Sequence, residues 1–334
     1  MSKAAITIRD ISAMPGTAVR GYVPVGSSPL GPAYSIPLII VNGAHDGPVL
    51  CVDAGVHGDE HEGVMSVLHF ANTLDPGSLR GAVLVVPAVN SAALSANQRG
   101  IPEDHLLFDP NRVYPGKAEG CITERIAYVF LNEIVKRVDY SVSLHSGASY
   151  VYWVPQVLSH DHEASLNLAK GLGPKFNMIA RKQPFVGTAT EAIVKAGVPS
   201  VTIEAGGGGA RRPDLFEPIV QVISEGLSNL LVHLGMVEGQ PSYPERWQLV
   251  EQQPIRSPKG GLLVIEEGVE LGKEVTTGQP LFRIVDLLGQ EMEMVKAPIS
   301  GTLTHVRTWP SVHTGHSLGY IARHIETLPL RMEK

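Results

Sequence analysis

The sequence predicts an α/β domain built on a buried, mostly parallel sheet, followed by a small all-β domain. Three observations carry this. Apolar runs of strand length alternate with segments of helical periodicity as far as about residue 240. Helical periodicity then stops near Gly239, and residues 241–334 hold a faint internal repeat.

The segments AAITIRDI, TAVRGYVPV and YSIPLIIVNG read as short strands, and AHDGP as a turn. VLCVDAGV, residues 49–56, reads as a buried central strand. From Glu62 to Leu74, EGVMSVLHFANTL has the spacing of a helix that stops at DPGS. GAVLVVPAVN (81–90) is a second buried strand, and residues 91–118 read as a long polar loop, which in a compact domain is usually functional or disordered. A helix follows from about Thr123 to Arg137, with Ile126, Val129, Phe130, Ile134 and Val135 on one face. YSVSLHSG is a third strand, ending at His145. HEASLNLAKGL and TATEAIVKAG read as helices, SVTIEAGG as a strand, and the segment from about Pro218 to Leu234 as a helix. GQPSYPERWQ reads as a linker, which divides the chain into domains 1–240 and 241–334.

Within the second domain, GGLLVIEEGVELGKEVTTGQPLFRIVD resembles SGTLTHVRTWPSVHTGHSLGYIARH. Such half-repeats build a barrel or sandwich of two interlocked halves. EMEMVKAPISGTL is superficially similar to a lipoyl or biotinyl carrier hairpin. However, Glu293 stands between the methionines where the carrier lysine belongs and Lys296 is displaced, so the expectation is the shape without an attached cofactor.

A net charge of −6 gives no reason to expect nucleic acid or an anionic membrane as partner. Two cysteines, Cys51 and Cys121, do not make a disulfide framework, and a reducing cytoplasm fits best. The N-terminus lacks the apolar core of a signal peptide, and no apolar stretch reaches the roughly 20 residues that span a bilayer. A homo-oligomer is the default assembly.

Chemistry concentrates where the strand 49–56 delivers the chain to HGDEHEG. A His and a Glu three apart suit a borderline-soft divalent metal, and catalytic zinc takes three protein ligands. His57 and Glu60 supply two, and His145, at the end of another strand, is the natural third. Ligands in open α/β sheets bind beyond the carboxyl ends of the strands, where both histidines fall. A rival set uses His57 and His61 of an H-x-x-E-H arrangement. It needs a helix over 57–61, which Gly55 and Gly58 oppose at about 1 kcal/mol each.

Three further features give a metal something to do. Glu204 ends an apolar strand in TIEAGGGG, where a carboxylate is costly unless it works or is paired. There it suits proton transfer from a water to a leaving nitrogen. Asn111 and Arg112, in DPNRVYPG, suit capture of a substrate carboxylate, and Arg99 in the same loop suits an oxyanion. His313 and His316 sit in a turn of the β domain without a carboxylate pattern and read as solvated. Tyr150, Tyr152 and Trp153 read equally as acyl-pocket or core residues.

With these residues assembled, the chain resembles the succinylglutamate desuccinylase/aspartoacylase family over about residues 40–240. HGDE and SLHSG carry the ligands, the stretch from Asn90 to Arg99 matches the segment ending in the oxyanion arginine, and DPNRVYPG matches the family's D-L-N-R-x-F-P-G, with Pro110 in place of Leu. TIEAGG carries the glutamate. The resemblance implies a zinc-carboxypeptidase-like mixed, mostly parallel sheet flanked by helices, one Zn2+ per chain, and a water activated by Glu204. It also implies carbonyl polarisation by the metal and Arg99, and a substrate carboxylate held by Asn111 and Arg112. The implied activity is a zinc-dependent hydrolase, an amidohydrolase (deacylase) acting on a small N-acyl amino acid or related acylated amine that bears a carboxylate. Competing readings are a zinc carboxypeptidase on short peptides and a non-catalytic zinc-binding protein with this fold.

Overall fold

The computed structural model describes residues 3–29, 31, 33–104, 109–160, 162–181, 186–209 and 213–328. AAITIRDI folds as two strands rather than one: β1 (Ile6–Ile8) and β2 (Ile11–Ala13) make a tight antiparallel ribbon turning at Arg9, whose φ is 52°. Next come β3 (Thr17–Ser27), β4 (Ala33–Asn42) and β5 (His45–Asp53), so the AHDGP turn is corrected to strand. The turn lies instead at Gly43–Ala44, and β5 absorbs the polar residues through a register shift between His45 and Val49. The chain continues through α1 (His61–Thr73), β6 (Arg80–Val86), α2 (Ser91–Ala96), α3 (Ile122–Val129) and β7 (Tyr140–His145). One π turn (Phe130–Ile134) and one 3-10 turn (Val135–Arg137) extend α3 to the predicted end. β8 (Val151–Ser159), α4 (Glu163–Gly171), β9 (Met178–Arg181), α5 (Ala189–Lys195), β10 (Ser200–Gly207) and α6 (Pro213–His233) complete the α/β part.

Neither β8 nor β9 was expected. β8 carries Pro155 and the buried Gln156 within its apolar run, and β9 is only four residues long. The last helix begins at Pro213 rather than near Pro218, which lies inside it. α6 is long and apolar enough, by length and composition alone, to cross a membrane, but half of its most apolar window is buried inside the fold. Ile223, Leu227 and Leu230 on its inner face are fully buried in the core that includes α1 and α4.

Across the sheet the strands run β3-β4-β6-β5-β7-β10-β8-β9. The central strands β6, β5, β7 and β10 are parallel, while β3, β4 and β8 enter antiparallel. Alternate residues of the middle strands feed two cores. Leu50, Val52, Val142 and Leu144 point to one, and Cys51, Leu84 and Val86 to the other. Parallel strands buried on both faces need apolar residues at nearly every position, which is why these were the most legible.

β11 (Trp247–Arg256) pairs parallel with β9 and carries the sheet into the C-terminal all-β domain. There β12 (Gly261–Ile265), β13 (Glu274–Val275) and β14 (Pro280–Val285) form one half, followed by β15 (Glu291–Lys296). β16 (Gly301–Arg307), β17 (Ser311–Val312) and β18 (Ser317–Leu328) form the other. The halves exchange their short strands, β12 pairing with β17 and β16 with β13. A separate core of Leu281, Phe282, Ile284, Leu303, Leu318 and Ile321 lies between them. EMEM runs along β15 with Glu293 opposite Ile284, and the hairpin tip is at 286–290.

β16 also pairs with β8, so the β domain is joined to the α/β sheet at two places. Trp247, the first residue of β11, is fully buried in the α/β core, whereas Ile255 of the same strand belongs to the β-domain core. Replacing Trp247 by Ala leaves a large cavity at this joint. The expected loss is about 3–5 kcal/mol in urea unfolding monitored by circular dichroism. A loss under about 1 kcal/mol would show that the joint does not bear on stability.

Candidate active site

β5 ends at Asp53, and Ala54–Glu60 turns sharply before α1 begins at His61. His57 and Glu60 therefore lie in a loop at the carboxyl end of the strand, and His145 ends the neighbouring parallel strand β7. Helix does not extend back to position 57, so the H-x-x-E-H geometry is absent. His61 faces a separate cavity lined with Asp59 and Met65. Gly58 permits a close approach: a Cβ there would lie 2.0 Å from the carbonyl carbon of Ala93. The segment after α2 packs onto HGDE through Gly58 N–H donating to Gln98 O at 2.9 Å, and this brings in Arg99.

His57, Glu60 and His145 are each only 3–4% exposed, and one potential ligand atom of each lies within 4.8 Å of the others. Glu60 sits between the imidazoles: Nδ1 of His57 is 2.7 Å from its Oε1, and Nδ1 of His145 is 2.9 Å from its Oε2. Nε2 of His57 lies 3.2 Å from Oδ1 of Asp109, the geometry of an N–H donated to a carboxylate. Nδ1 of His57 and Nδ1 of His145 thus both face the Glu60 carboxylate, with Asp109 behind His57. Burial opposes charge on His57, but Glu60 and Asp109 outweigh it and hold the imidazole above its ordinary value. Burial also opposes charge on Glu60, yet His57 and His145 hold its carboxyl well below the usual carboxylate range. Two imidazoles and a carboxylate, buried and within 4.8 Å of one another, are a donor set that fits a divalent metal.

Asp109, which was not singled out from the sequence, organises the neighbourhood. Besides His57 it accepts from Nε and Nη2 of Arg99 at 3.2 and 3.1 Å, and from the backbone N–H of Asn111 at 2.9 Å. Burial raises its carboxyl, but His57, Arg99 and Arg112 together hold it low. Asn111 Oδ1 accepts from Ala189 N at the start of α5, 2.8 Å away, so its NH2 is the end left for a ligand. Arg112 is more open, its side chain 43% exposed.

Glu204 lies beside His145 in the β10–β7 register. The glycines after it serve mainly to bring backbone against backbone: a Cβ at Gly207 would lie 2.4 Å from Val151 O and 2.6 Å from Gly147 Cα. Glu62 then ties this turn to the loop after His145, accepting from Gly207 N at 2.7 Å and from Ser146 Oγ at 2.9 Å. From the sequence Glu62 reads as an ordinary acid in the first turn of a helix, so nothing marked it.

One cavity of about 550 Å³ is lined by all seven residues: His57, Glu60, His145, Arg99, Asn111, Arg112 and Glu204. Tyr150 and Trp153 also line it, whereas Tyr152 is not among its lining residues. The β domain completes it with His305, Arg307, Trp309, His316, Ser317 and Tyr320, residues whose role depends on tertiary packing that one sequence does not display. His316 thus reaches the cavity from its turn, its ring 4.9 Å from that of exposed His313.

Asp53, at the end of β5, is fully buried and accepts from Ser143 Oγ at 2.7 Å. Burial pushes its carboxyl up to about 7, against the pull of the Ser143 hydrogen bond. Between its ordinary value of 3.8 and about 7 the folded chain keeps a proton that the unfolded chain has released. Stability therefore falls as pH rises through that window and levels off above it. At about 1.4 kcal/mol per pH unit the effect is on the order of 4 kcal/mol. Asp53→Asn keeps an acceptor for Ser143 and removes the titration. Its stability relative to the unsubstituted chain should rise from about pH 4 to about pH 8 in denaturant melts, and a pH-independent difference would contradict this assignment.

Residues 46–234 match the succinylglutamate desuccinylase/aspartoacylase catalytic domain. The chain is 30% identical over 309 residues to the N-alpha-acetyl-L-2,4-diaminobutyric acid deacetylase of Halomonas elongata, covering 89% of this chain and 88% of that one. The ectoine utilization protein EutE from Ruegeria pomeroyi has the same fold, with a TM-score of 0.81 at 24% identity over 91% of this chain and 95% of its own. A succinylglutamate desuccinylase/aspartoacylase structure from Rhodobacter sphaeroides also superimposes with a TM-score of 0.81, at 24% identity over 92% and 96% of the two chains. The catalytic-domain match spans more than half of the sequence, and the alignment to the Halomonas enzyme covers 89% of the chain at 30% identity. On both grounds the chain belongs to the succinylglutamate desuccinylase/aspartoacylase family.

Proposed function

We propose that the chain is a zinc-dependent deacylase that hydrolyses the amide of a small N-acyl amino acid or related acylated amine. The observation that carries this reading is the convergence of a buried His57–Glu60–His145 donor set, Glu204, Arg99, Asn111 and Arg112 on one cavity. The deacetylase activity of the Halomonas relative supports it.

His57, Glu60 and His145 would hold one zinc ion, which supplies Lewis acidity to a water and to the scissile carbonyl. Asp109 fixes the His57 tautomer and ring orientation, a support that metal-binding histidines generally need. Glu204 takes a proton from the attacking water and returns it to the leaving nitrogen as the C–N bond breaks, giving a carboxylate and a free amine. Arg99, held by Asp109 at the cavity wall, places its guanidinium to stabilise the oxyanion that develops on the former carbonyl oxygen. Arg112 and the Asn111 amide anchor a substrate carboxylate, which sets the amide in place. The β-domain residues lining the same cavity limit the room for a long peptide and favour a small substrate.

Glu204→Gln keeps the shape and removes the base. Turnover of N-acetyl, N-succinyl and N-formyl amino acids should fall by about 10²–10⁴-fold, while metal analysis still finds one zinc per chain. Undiminished turnover in this variant would overturn the role of Glu204. Arg112→Ala should raise KM for carboxylate-bearing substrates by about 10-fold and leave that for the corresponding amides unchanged. An equal effect on both would remove Arg112 from carboxylate recognition.

A further inference from the structure

β3 ends the large sheet, and among the described residues no strand pairs with its outer side. The register shows which of its backbone groups face outward. Gly43 N–H donates to Gly81 O at 2.9 Å, so the odd-numbered residues of β4 turn toward β6 and the even-numbered ones toward β3. Pro37, with no N–H to give, accordingly points to the side where β6 pairs only with Ile39–Asn42. Leu38 and Ile40 pair with Gly21 and Val19, so Ala18, Arg20 and Tyr22 direct N–H and C=O away from the sheet. Pro24 follows the same alternation, and Arg9 Nη1 reaches its carbonyl from outside the ladder at 2.9 Å.

These four side chains also stand on the exposed face of β3, with Tyr22 69% exposed. The opposite face is closed by the β1–β2 ribbon, since a Cβ on Gly21 would lie 2.7 Å from Ile11. Among the described residues Arg20 has no ion pair or hydrogen bond from its side chain. Native folds blunt an open edge with charge, proline, a bulge or a covering element, because it can pair with another strand. Here Pro24, the bulge after it and Arg9 close one half of β3, while Ala18–Tyr22 stays open.

We propose that this edge is a homodimer interface, two copies of β3 pairing antiparallel about a two-fold axis at Gly21. Arg20 and Tyr22 then stand opposite Tyr22 and Arg20 of the partner subunit and exchange N–H and C=O bonds with them. Ala18 N–H meets the second lone pair of the carbonyl of Pro24 of the partner subunit. Each guanidinium faces an exposed ring on the same side of the sheet, a cation–π pair made twice by symmetry. Sliding the strands by two residues sets Arg20 against Arg20 of the partner subunit, and like charges directly opposite are unfavourable, so the charge selects the register. The contact is isologous and closes at two copies. β4 and β6 separate this edge from β5, so the active-site cavity stays free.

Sedimentation equilibrium of the full chain at micromolar concentration should give the mass of two chains. Tyr22→Lys sets a cation opposite Arg20 and should weaken the dimer by about tenfold or more, whereas Tyr22→Trp, a better partner for a cation, should preserve it. Hydrogen exchange on the unsubstituted protein gives a second readout that needs no variant: the amides of Ala18, Arg20 and Tyr22 should be protected at high concentration and lose that protection on dilution. A monomer at every concentration, a Tyr22→Lys dimer as tight as the original, or rapid exchange at these three amides in a dimeric sample overturns the proposal.

Discussion

Two imidazoles and a carboxylate buried at adjacent strand ends make a cluster whose charges the rest of the site has to balance. Glu60 sits within 2.9 Å of Nδ1 of both histidines, and Asp109 lies 3.2 Å from Nε2 of His57. Taking such groups out of water is costly unless charge and hydrogen bonds are balanced. Much of the local structure supplies that balance. Ser146 N–H donates to Glu60, Arg99 approaches it from the α2 loop, and Asp109 neutralises Arg99 in turn. Arg99 and Asp109 both come from the segment between α2 and α3.

The sheet explains why the cluster forms. Parallel β5, β7 and β10 place His57, His145 and Glu204 at one end, and the register sets Glu204 beside His145. Glu62 then ties the turns after β7 and β10 to the first turn of α1. Four elements, β5, α1, β7 and β10, thereby hold one constellation, with the β domain docked against it through β11 and β16.

How much of this was legible follows from the physics of each segment. Strands buried on both faces are apolar throughout, so β5, β6, β7 and β10 stood out, and the residues at their ends could be placed. The repeat in the β domain was visible because both halves use the same strand–short strand–strand pattern, and the exchange of β13 and β17 follows from it. β8 and β9 were missed because Pro155 and Gln156 interrupt the run of β8, and the four residues of β9 are too few to show a period. Asp109 lay within a recognised motif but next to more conspicuous residues, and Glu62 passed as a helix-terminal acid. His305 had no local signal at all: its burial between Trp153 and Tyr320 arises only when three strands from two domains align.

That His57, Glu60 and His145 form the metal centre of an amide hydrolase can be measured by titrating zinc into chelator-stripped protein while following hydrolysis of a panel of N-acyl amino acids. No turnover is expected without metal, and activity should rise linearly and break at one equivalent of zinc per chain. Full activity in the stripped protein, or activity that ignores added zinc, would contradict it.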